Sequence, residues 1–253
     1  MQHLYFLAIW TVLGVGFAAF TVRRGSLSVG GALAAMLLGG AVLYTRGGWW
    51  LLPLFVFFLS STLIGKLLPV SSVASDAKDK QTRDAVQVLC NGAVYGAVAV
   101  AGGPPLLLLS ALAVATSDTW ASEIGRYFRN PTYDIIGTER IPPGVSGGIS
   151  FSGTIGGIAG AAVIALLGFW LVRGFVFDDY LLVTTFGTIG MLVDSVLGSV
   201  LQARYRSAEG QLRDTPGAGS RRVSGYTWMT NDLVNFLSIT LTTAATWLWL
   251  GYR

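Results

Sequence analysis

Residues 180–200, YLLVTTFGTIGMLVDSVLGSV, hold a single charge, Asp194, among apolar residues, glycines and hydroxyls. A run of this length is what a hydrocarbon core of ~30 Å demands of a helix. Comparable runs lie at approximately 4–21, 27–45, 48–65, 85–101, 104–117, 152–172 and 230–250. The whole chain shares this character, with 253 residues, 53% hydrophobic, 12% charged and a mean hydropathy of +0.61. A soluble domain carries roughly 25% charged residues, so about half of that charge is missing. A soluble enzyme, a disordered chain and a nucleic-acid binder are excluded. The fold class predicted is all-α: a polytopic membrane helical bundle of about eight transmembrane spans, one integral-membrane domain over residues 1–253.

The basic residues set an orientation. Of the 17 Lys and Arg, all but Arg46, Arg173 and Arg253 fall in alternate loops. Arg23 and Arg24 follow the first span, and Lys66, Lys78, Lys80 and Arg83 follow the third. Arg126, Arg129 and Arg140 follow the fifth, and Arg204, Arg206, Arg213, Arg221 and Arg222 follow the seventh. The positive-inside rule makes those four loops cytoplasmic and both termini external, in a multi-pass protein of the cell membrane. The first run is read as a retained span, because Met1–His3 lacks a basic leader region and Arg23-Arg24 follows like a stop-transfer flank. The fifth run is short and leads into a polar motif, so its helix is expected to continue past residue 117.

The residue inventory narrows the chemistry. Cys90 is the only cysteine and His3 the only histidine. That disfavours a disulfide, a Cys- or His-based zinc site, a haem and a Ser-His-Asp triad. Carboxylate, guanidinium, hydroxyl and amide groups remain, a set that suits a hard cation such as magnesium.

Polar residues inside or beside apolar spans are costly and point to function. Asp194 is about seven residues from the cytoplasmic end of its span, roughly 10 Å deep at 1.5 Å per residue. Gly187, Gly190 and Gly198 share its helical face, leaving room for a ligand or another backbone. Arg83, Gln87, Asn91 and Tyr95 recur every four residues as a polar stripe. Asn231, Asp232 and Asn235 open the last span. The densest segment is Ser117-Asp118-Thr119-Trp120-Ala121-Ser122-Glu123-Ile124-Gly125. On one helix Asp118 and Glu123 lie about 140° apart, so binding one ion together requires local unwinding. Glycine pairs such as Gly92/Gly96, Gly153/Gly157 and Gly156/Gly160 have the spacing of close helix packing.

Two loops add anion-binding chemistry. The stretch Arg140-Ile141-Pro142-Pro143-Gly144-Val145-Ser146-Gly147-Gly148 precedes a helix, where backbone N–H groups can face phosphate. It lacks the Gly-Lys-Ser/Thr of a Walker A loop. The glycine-interrupted loop 202–228 carries five arginines and reads either as a mobile cover over an anionic ligand or as a basic membrane-surface loop. Carboxylates and arginines gathered at one membrane face suit magnesium with phosphate, the metal neutralising oxygens that arginine forks grip.

The motifs Gln87-Val88-Leu89-Cys90-Asn91-Gly92, residues 117–125, residues 142–157, Asp194-Ser195-Val196-Leu197-Gly198 and Asn231-Asp232-Leu233-Val234-Asn235 together resemble an integral-membrane family. That family contains the plant phytyl-phosphate kinase of vitamin E synthesis. The resemblance covers nearly the whole chain, and Cys90 stands where a small residue such as Ala is expected. It implies a prenyl-phosphate kinase, which moves a phosphoryl group from a nucleoside triphosphate, CTP above all, to a prenyl or phytyl monophosphate. On this reading Asp118, Asp194 and Glu123 are the catalytic magnesium ligands. Arg83, Asn91, Arg140, Gly144, Ser146, Gly147, Gly148 and Asp232, with the 204–222 arginines, are candidates for binding phosphate or nucleotide.

A lipid-phosphate cytidylyltransferase would use a similar magnesium site and release pyrophosphate. A lipid or anion transporter or flippase would bury polar groups near the midplane within inverted repeats, whereas here they gather at one end. Expected partners are a prenyl monophosphate lipid, a nucleotide and membrane lipids, with no nucleic acid. Self-association into a homo-oligomer stays open.

Overall fold

A computed structural model of the chain describes residues 2–68 and 82–252. Lys78 and Lys80, counted above among the basic loop residues, lie outside the described residues. Eight long helices occupy the eight apolar runs: α1 (Gln2–Arg23), α2 (Val29–Arg46), α3 (Leu52–Leu67), α4 (Ala85–Val100), α5 (Pro105–Phe128), α6 (Phe151–Leu166), α8 (Phe177–Leu201) and α9 (Asn231–Tyr252). A short helix, α7 (Gly168–Leu171), extends α6, and a 3-10 turn (Gly48–Leu51) leads into α3. Five helical stretches, those beginning at Val29, Gly48, Phe151, Phe177 and Asn231, are long and apolar enough to cross a membrane by length and composition.

The starts of these helices follow from side chains that satisfy free N–H groups. Ser28 accepts from Gly31 N at 3.0 Å, Asp84 from Gln87 N at 2.9 Å and Ser150 from Gly153 N at 3.2 Å. Pro105 occupies the first turn of α5, where its missing N–H costs nothing. As the polar motif predicts, α5 continues past residue 117 and ends only at Phe128, with Arg129 in the left-handed conformation.

The core is built around α5, whose residues Leu108, Leu109, Ala111, Leu112, Ala113 and Val114 are fully buried. Around it pack α3, α4, α6, α8 and α9. Glycine lets the backbones meet: a Cβ on Gly160 would lie 3.0 Å from Thr116 O, and one on Gly153 3.0 Å from Ala121 O. Gly92 and Gly96 both receive Leu38 of α2. The outward faces are apolar instead of polar. On α2, Val29, Leu33 and Leu37 recur every four residues and stand exposed, as a lipid-facing stripe does.

Among the described residues, the loop segments that carry the basic residues lie at one end of the bundle and bond in two pairs. Ser28 N donates to Arg83 O at 3.0 Å, and Arg83 N to Ser26 O at 3.3 Å, tying the α1–α2 turn to the entry of α4. A two-stranded ladder, β1 (Tyr133–Asp134) with β2 (Gly148–Ile149), closes the α5–α6 loop. The α8–α9 loop forms an antiparallel sheet of order β4-β3-β5 from β3 (Arg204–Arg206), β4 (Leu212–Arg213) and β5 (Arg221–Ser224). Short strands in this loop are absent from the sequence expectation. At the opposite end Arg46 hydrogen-bonds the carbonyls of Val98, Ala99 and Gly103.

Candidate active site

A cavity of about 780 Å³ opens where the loops meet and runs down between α1, α2 and α3. Its mouth is polar. Entering α4, Arg83, Asp84, Gln87 and Asn91 line one side. The last turns of α5 supply Asp118, Thr119, Ser122, Glu123 and Arg126, and the first turn of α9 supplies Asn231, Asp232 and Asn235. The loops cover it with Gly144, Gln202, Tyr205, Asp214 and Thr215. Below the mouth the walls turn apolar: Phe57 and Phe58 come first, with the Arg83 guanidinium 5.7 and 5.8 Å from their ring centres. Leu43, Leu51, Leu54 and Trp10 lie furthest from it.

Depth follows from helix geometry. Leu43 is fifteen residues beyond Ser28 on α2, and Trp10 thirteen before Arg23 on α1. At 1.5 Å per residue both counts give a channel ~20 Å long. The cavity is therefore amphipathic along its axis.

At the inner edge of the mouth the carboxyl groups of Asp118 and Asp194 face each other closely enough to couple electrostatically. Asp194 is buried on α8, where Ser238 Oγ of α9 donates to its Oδ2 at 3.0 Å. Asn235, with its amide nitrogen turned toward α8, donates to the same oxygen at 3.0 Å and to Asn231 O at 3.1 Å. Two carboxylates in contact repel unless a proton or a cation sits between them. Three helices thus converge on one acidic pair. The glycine face of α8 is filled by its neighbours: Gly187 packs on Ala161 and Ala113, Gly190 on the Val114 side chain, and Gly198 lies against Gly147 N.

Glu123 stands five residues from Asp118 on an unbroken helix, and both reach the cavity wall. Glu123 pairs with Arg126 at 2.9 Å. Among the described residues no three His, Cys, Asp or Glu side chains lie together as a self-sufficient metal cage. Magnesium does not require one, since it characteristically takes one or two carboxylates and completes its octahedron with water and substrate phosphate. The donor set of Asp118 and Asp194 beside a polar mouth that carries Arg83 and Arg126 fits that mode.

The structure brings Asp118, Glu123, Arg83, Asn91, Asp232 and Gly144 to one cavity, with Asp194 facing Asp118 behind them. It does not bring Arg140, Ser146, Gly147 or Gly148 to the cavity wall. Arg140 is exposed and bridges to Tyr133. The Ser146 N–H and hydroxyl both donate to Asp214 Oδ2, at 2.9 and 2.6 Å, and Gly148 N donates to Val145 O at 3.0 Å. With those donors engaged, this part of the Gly/Ser-rich loop clasps the α8–α9 loop.

The clasp centres on Asp134, buried at β1. It accepts from Ile136 N and Gly137 N at 2.9 Å each and from Ser199 Oγ at 2.8 Å, and it pairs with the buried Arg204, which also bonds Ser146 O. Burial alone would raise the Asp134 carboxyl. The donors, with Gly137 N–H, Ser199 and Arg204 foremost, outweigh it and hold the pKa at about 2. Gly147 makes room for this pair, since a Cβ there would lie 2.6 Å from that of Ser199, and its φ of +79° favours glycine. Four of the five 204–222 arginines are exposed, and Arg204 is structural.

Arg126, Asp84, Ser122 and Ser238 join the site without having been picked out by sequence reasoning. Arg126 reads there as a loop charge, although it sits three residues after Glu123 on the same helix.

The profile of the family described as Integral membrane protein DUF92 matches residues 12–243. The chain belongs to that family. The Arabidopsis thaliana Protein PGR is 27% identical, with 95% of each chain covered. An uncharacterized membrane protein of Methanocaldococcus jannaschii is 29% identical over 182 residues, 69% of this chain and 74% of that one. Protein VTE6, chloroplastic, of Arabidopsis thaliana is 24% identical over 85% of this chain and 62% of its own length. No solved structure matches the chain. The DUF92 assignment agrees with the integral-membrane family that the motifs around Asn91, Asp118, Asp194 and Asp232 indicate.

Proposed function

We propose that this DUF92 protein is a prenyl-phosphate kinase, with a nucleoside triphosphate, CTP foremost, as donor and a membrane-embedded prenyl monophosphate as acceptor. The observation that carries the proposal is the axial division of one cavity, a charged mouth above an apolar channel ~20 Å long. An acceptor with an apolar tail and an anionic head matches both halves at once. The resemblance to the family of the phytyl-phosphate kinase supports the same reading.

In the reaction a terminal oxygen of the prenyl monophosphate attacks the γ-phosphorus of the nucleotide. The bond from that phosphorus to the β–γ bridging oxygen breaks, and the nucleoside diphosphate leaves. The acceptor is already largely ionised near neutral pH, its second pKa being about 6, so no strong general base is needed. Arg83 at the mouth grips phosphate oxygens while its guanidinium rests over Phe57 and Phe58, at the boundary between head and tail. Asn91 and Asp232 line the same mouth and orient polar head groups by hydrogen bonding. Asp118 and Asp194 would hold magnesium, which supplies charge neutralisation for the transferring phosphoryl group. Most of the catalysis is then positioning and electrostatics.

The test is purified protein in detergent, given prenyl monophosphates with each of four nucleoside triphosphates and analysed by mass spectrometry. A prenyl diphosphate with release of nucleoside diphosphate is expected. A CMP-linked lipid with pyrophosphate release, or no nucleotide turnover with any acceptor, would overturn the kinase reading.

A further inference from the structure

Small residues of α1 and α2 line the cavity along its length. Gly14 and Ala18 lie on α1, and Ala32, Ala35 and Gly39 on α2. Their spacing of three to four residues holds each stripe on one helix face, and their size keeps open a space that larger side chains would fill. Gly39 borders unfilled space: a Cβ there would meet only Leu51 Cδ2, at 3.7 Å. Trp10 bounds the far end and is backed by the chain itself, since a Cβ on Gly48 would lie 2.7 Å from its indole ring. Leu51, buried at 8% exposure, and Leu43 complete that end.

We infer that this channel receives one prenyl chain tail-first, and that Trp10 at its end and Gly39 on its wall set the longest chain accepted. The inference rests on the kinase reading for the identity of the head group. The channel opens directly into the charged mouth, so a chain within it has its head held beside Arg83 and Asp118 and its tail directed at Trp10.

Selection by length follows from the solvent. A prenyl chain leaves lipid and not water to enter the channel, so hydrophobic transfer offers little discrimination. Fit decides instead. A chain shorter than the channel leaves a void that forfeits contacts, and a longer one meets Trp10 and must strain or hold its phosphate out of register. Discrimination of about tenfold or more per misfit methylene-scale change is the range such pockets reach.

The experiment measures equilibrium binding of a graded series of prenyl monophosphates, from the two-unit to the five-unit chain, without nucleotide. Purified wild type is compared with Trp10→Ala, Gly39→Leu and Leu37→Ala, the last at an exposed, lipid-facing position of the same helix. Wild type should show an affinity break at one chain length. Gly39→Leu should move the break to shorter chains, lowering the long-to-short affinity ratio at least about tenfold. Trp10→Ala should move it to longer chains, and Leu37→Ala should leave it in place. Melting temperatures report folding alongside. A break unmoved in both folded channel variants, or wild-type affinity independent of chain length, would overturn the inference even if phosphoryl transfer occurs. A break that moves as described without any turnover sinks the kinase reading and leaves the channel standing. No affinity for any member of the series overturns both.

Discussion

At the level of single side chains, the contact between Asp118 and Asp194 is the most consequential feature. Asp118→Asn keeps shape and one oxygen but removes a charge from a site suited to magnesium. Turnover should fall at least ~10²-fold, about 2.7 kcal/mol of transition-state stabilisation. Asp194→Asn should do the same, and the double variant should be little worse than either, as for groups acting as one unit. Rates and melting temperatures of all three proteins check this; folded Asp118→Asn with near-wild-type magnesium-dependent turnover would remove it from the ligand role. Asp134 makes a separate forecast because its donors hold its pKa at about 2. A depressed carboxyl stabilises the fold fully above the ordinary range near ~4 and loses that contribution as pH falls through the folded value. The stability gap between wild type and Asp134→Asn should be about 2 kcal/mol at pH 6. It should narrow steadily from about pH 4 toward pH 2. Equal gaps at pH 6 and pH 3, from unfolding in detergent, would contradict the clasp.

Among the elements, α5 and α6 pack together most extensively, and glycine permits it. A Cβ on Gly160 would press on Thr116 O at 3.0 Å and on the Trp120 ring at 3.1 Å, with no flexible neighbour to yield. Gly160→Leu should therefore cost about 1–3 kcal/mol through overpacking. Gly16→Leu, where nothing lies within 4 Å, should leave the melting temperature almost unchanged. Comparable melting losses for the two would show that helix flexibility, and not close packing, governs these positions. The helices themselves were legible because hydropathy marks them: each apolar run became one, and the Ser117–Gly125 motif announced that α5 would run long. The strands were not. Their two to four residues lie in glycine-interrupted loops too short for a period-2 pattern to register. Site residues split the same way. Asp118, Asp194 and Asp232 stand out because charge is rare beside apolar runs, whereas Asp134 and Arg204, seventy residues apart, have a partnership that only the fold creates. In the Gly/Ser-rich loop, glycine that frees a backbone for phosphate looks identical, in sequence, to glycine that admits a buried ion pair, as Gly147 does.

For the molecule as a whole, the described basic loop residues gather at one end, and the proposed chemistry is assigned to that side. Ser28 to Arg83 ties the first pair of loops, Asp134 to Arg204 and Ser146 to Asp214 tie the second, and residues of both pairs line the cavity mouth. Arg46 and Arg173 belong to the other end, Arg46 bonded there to the α4–α5 turn. Basic loops stay on the cytoplasmic side during insertion, and nucleoside triphosphates are available on that side. Orientation and function consequently stand on the same geometry. Single cysteines placed at exposed Arg140, Arg213 and Arg173 in a Cys90→Ala background test it with a membrane-impermeant maleimide on intact cells. Positions 140 and 213 should react only after permeabilisation, and position 173 should react without it. Labelling of 140 or 213 from outside would invert the topology and place the cavity mouth away from its nucleotide. Labelling of 173 together with 140 from one side would break the alternation of helices on which the eight-span reading depends.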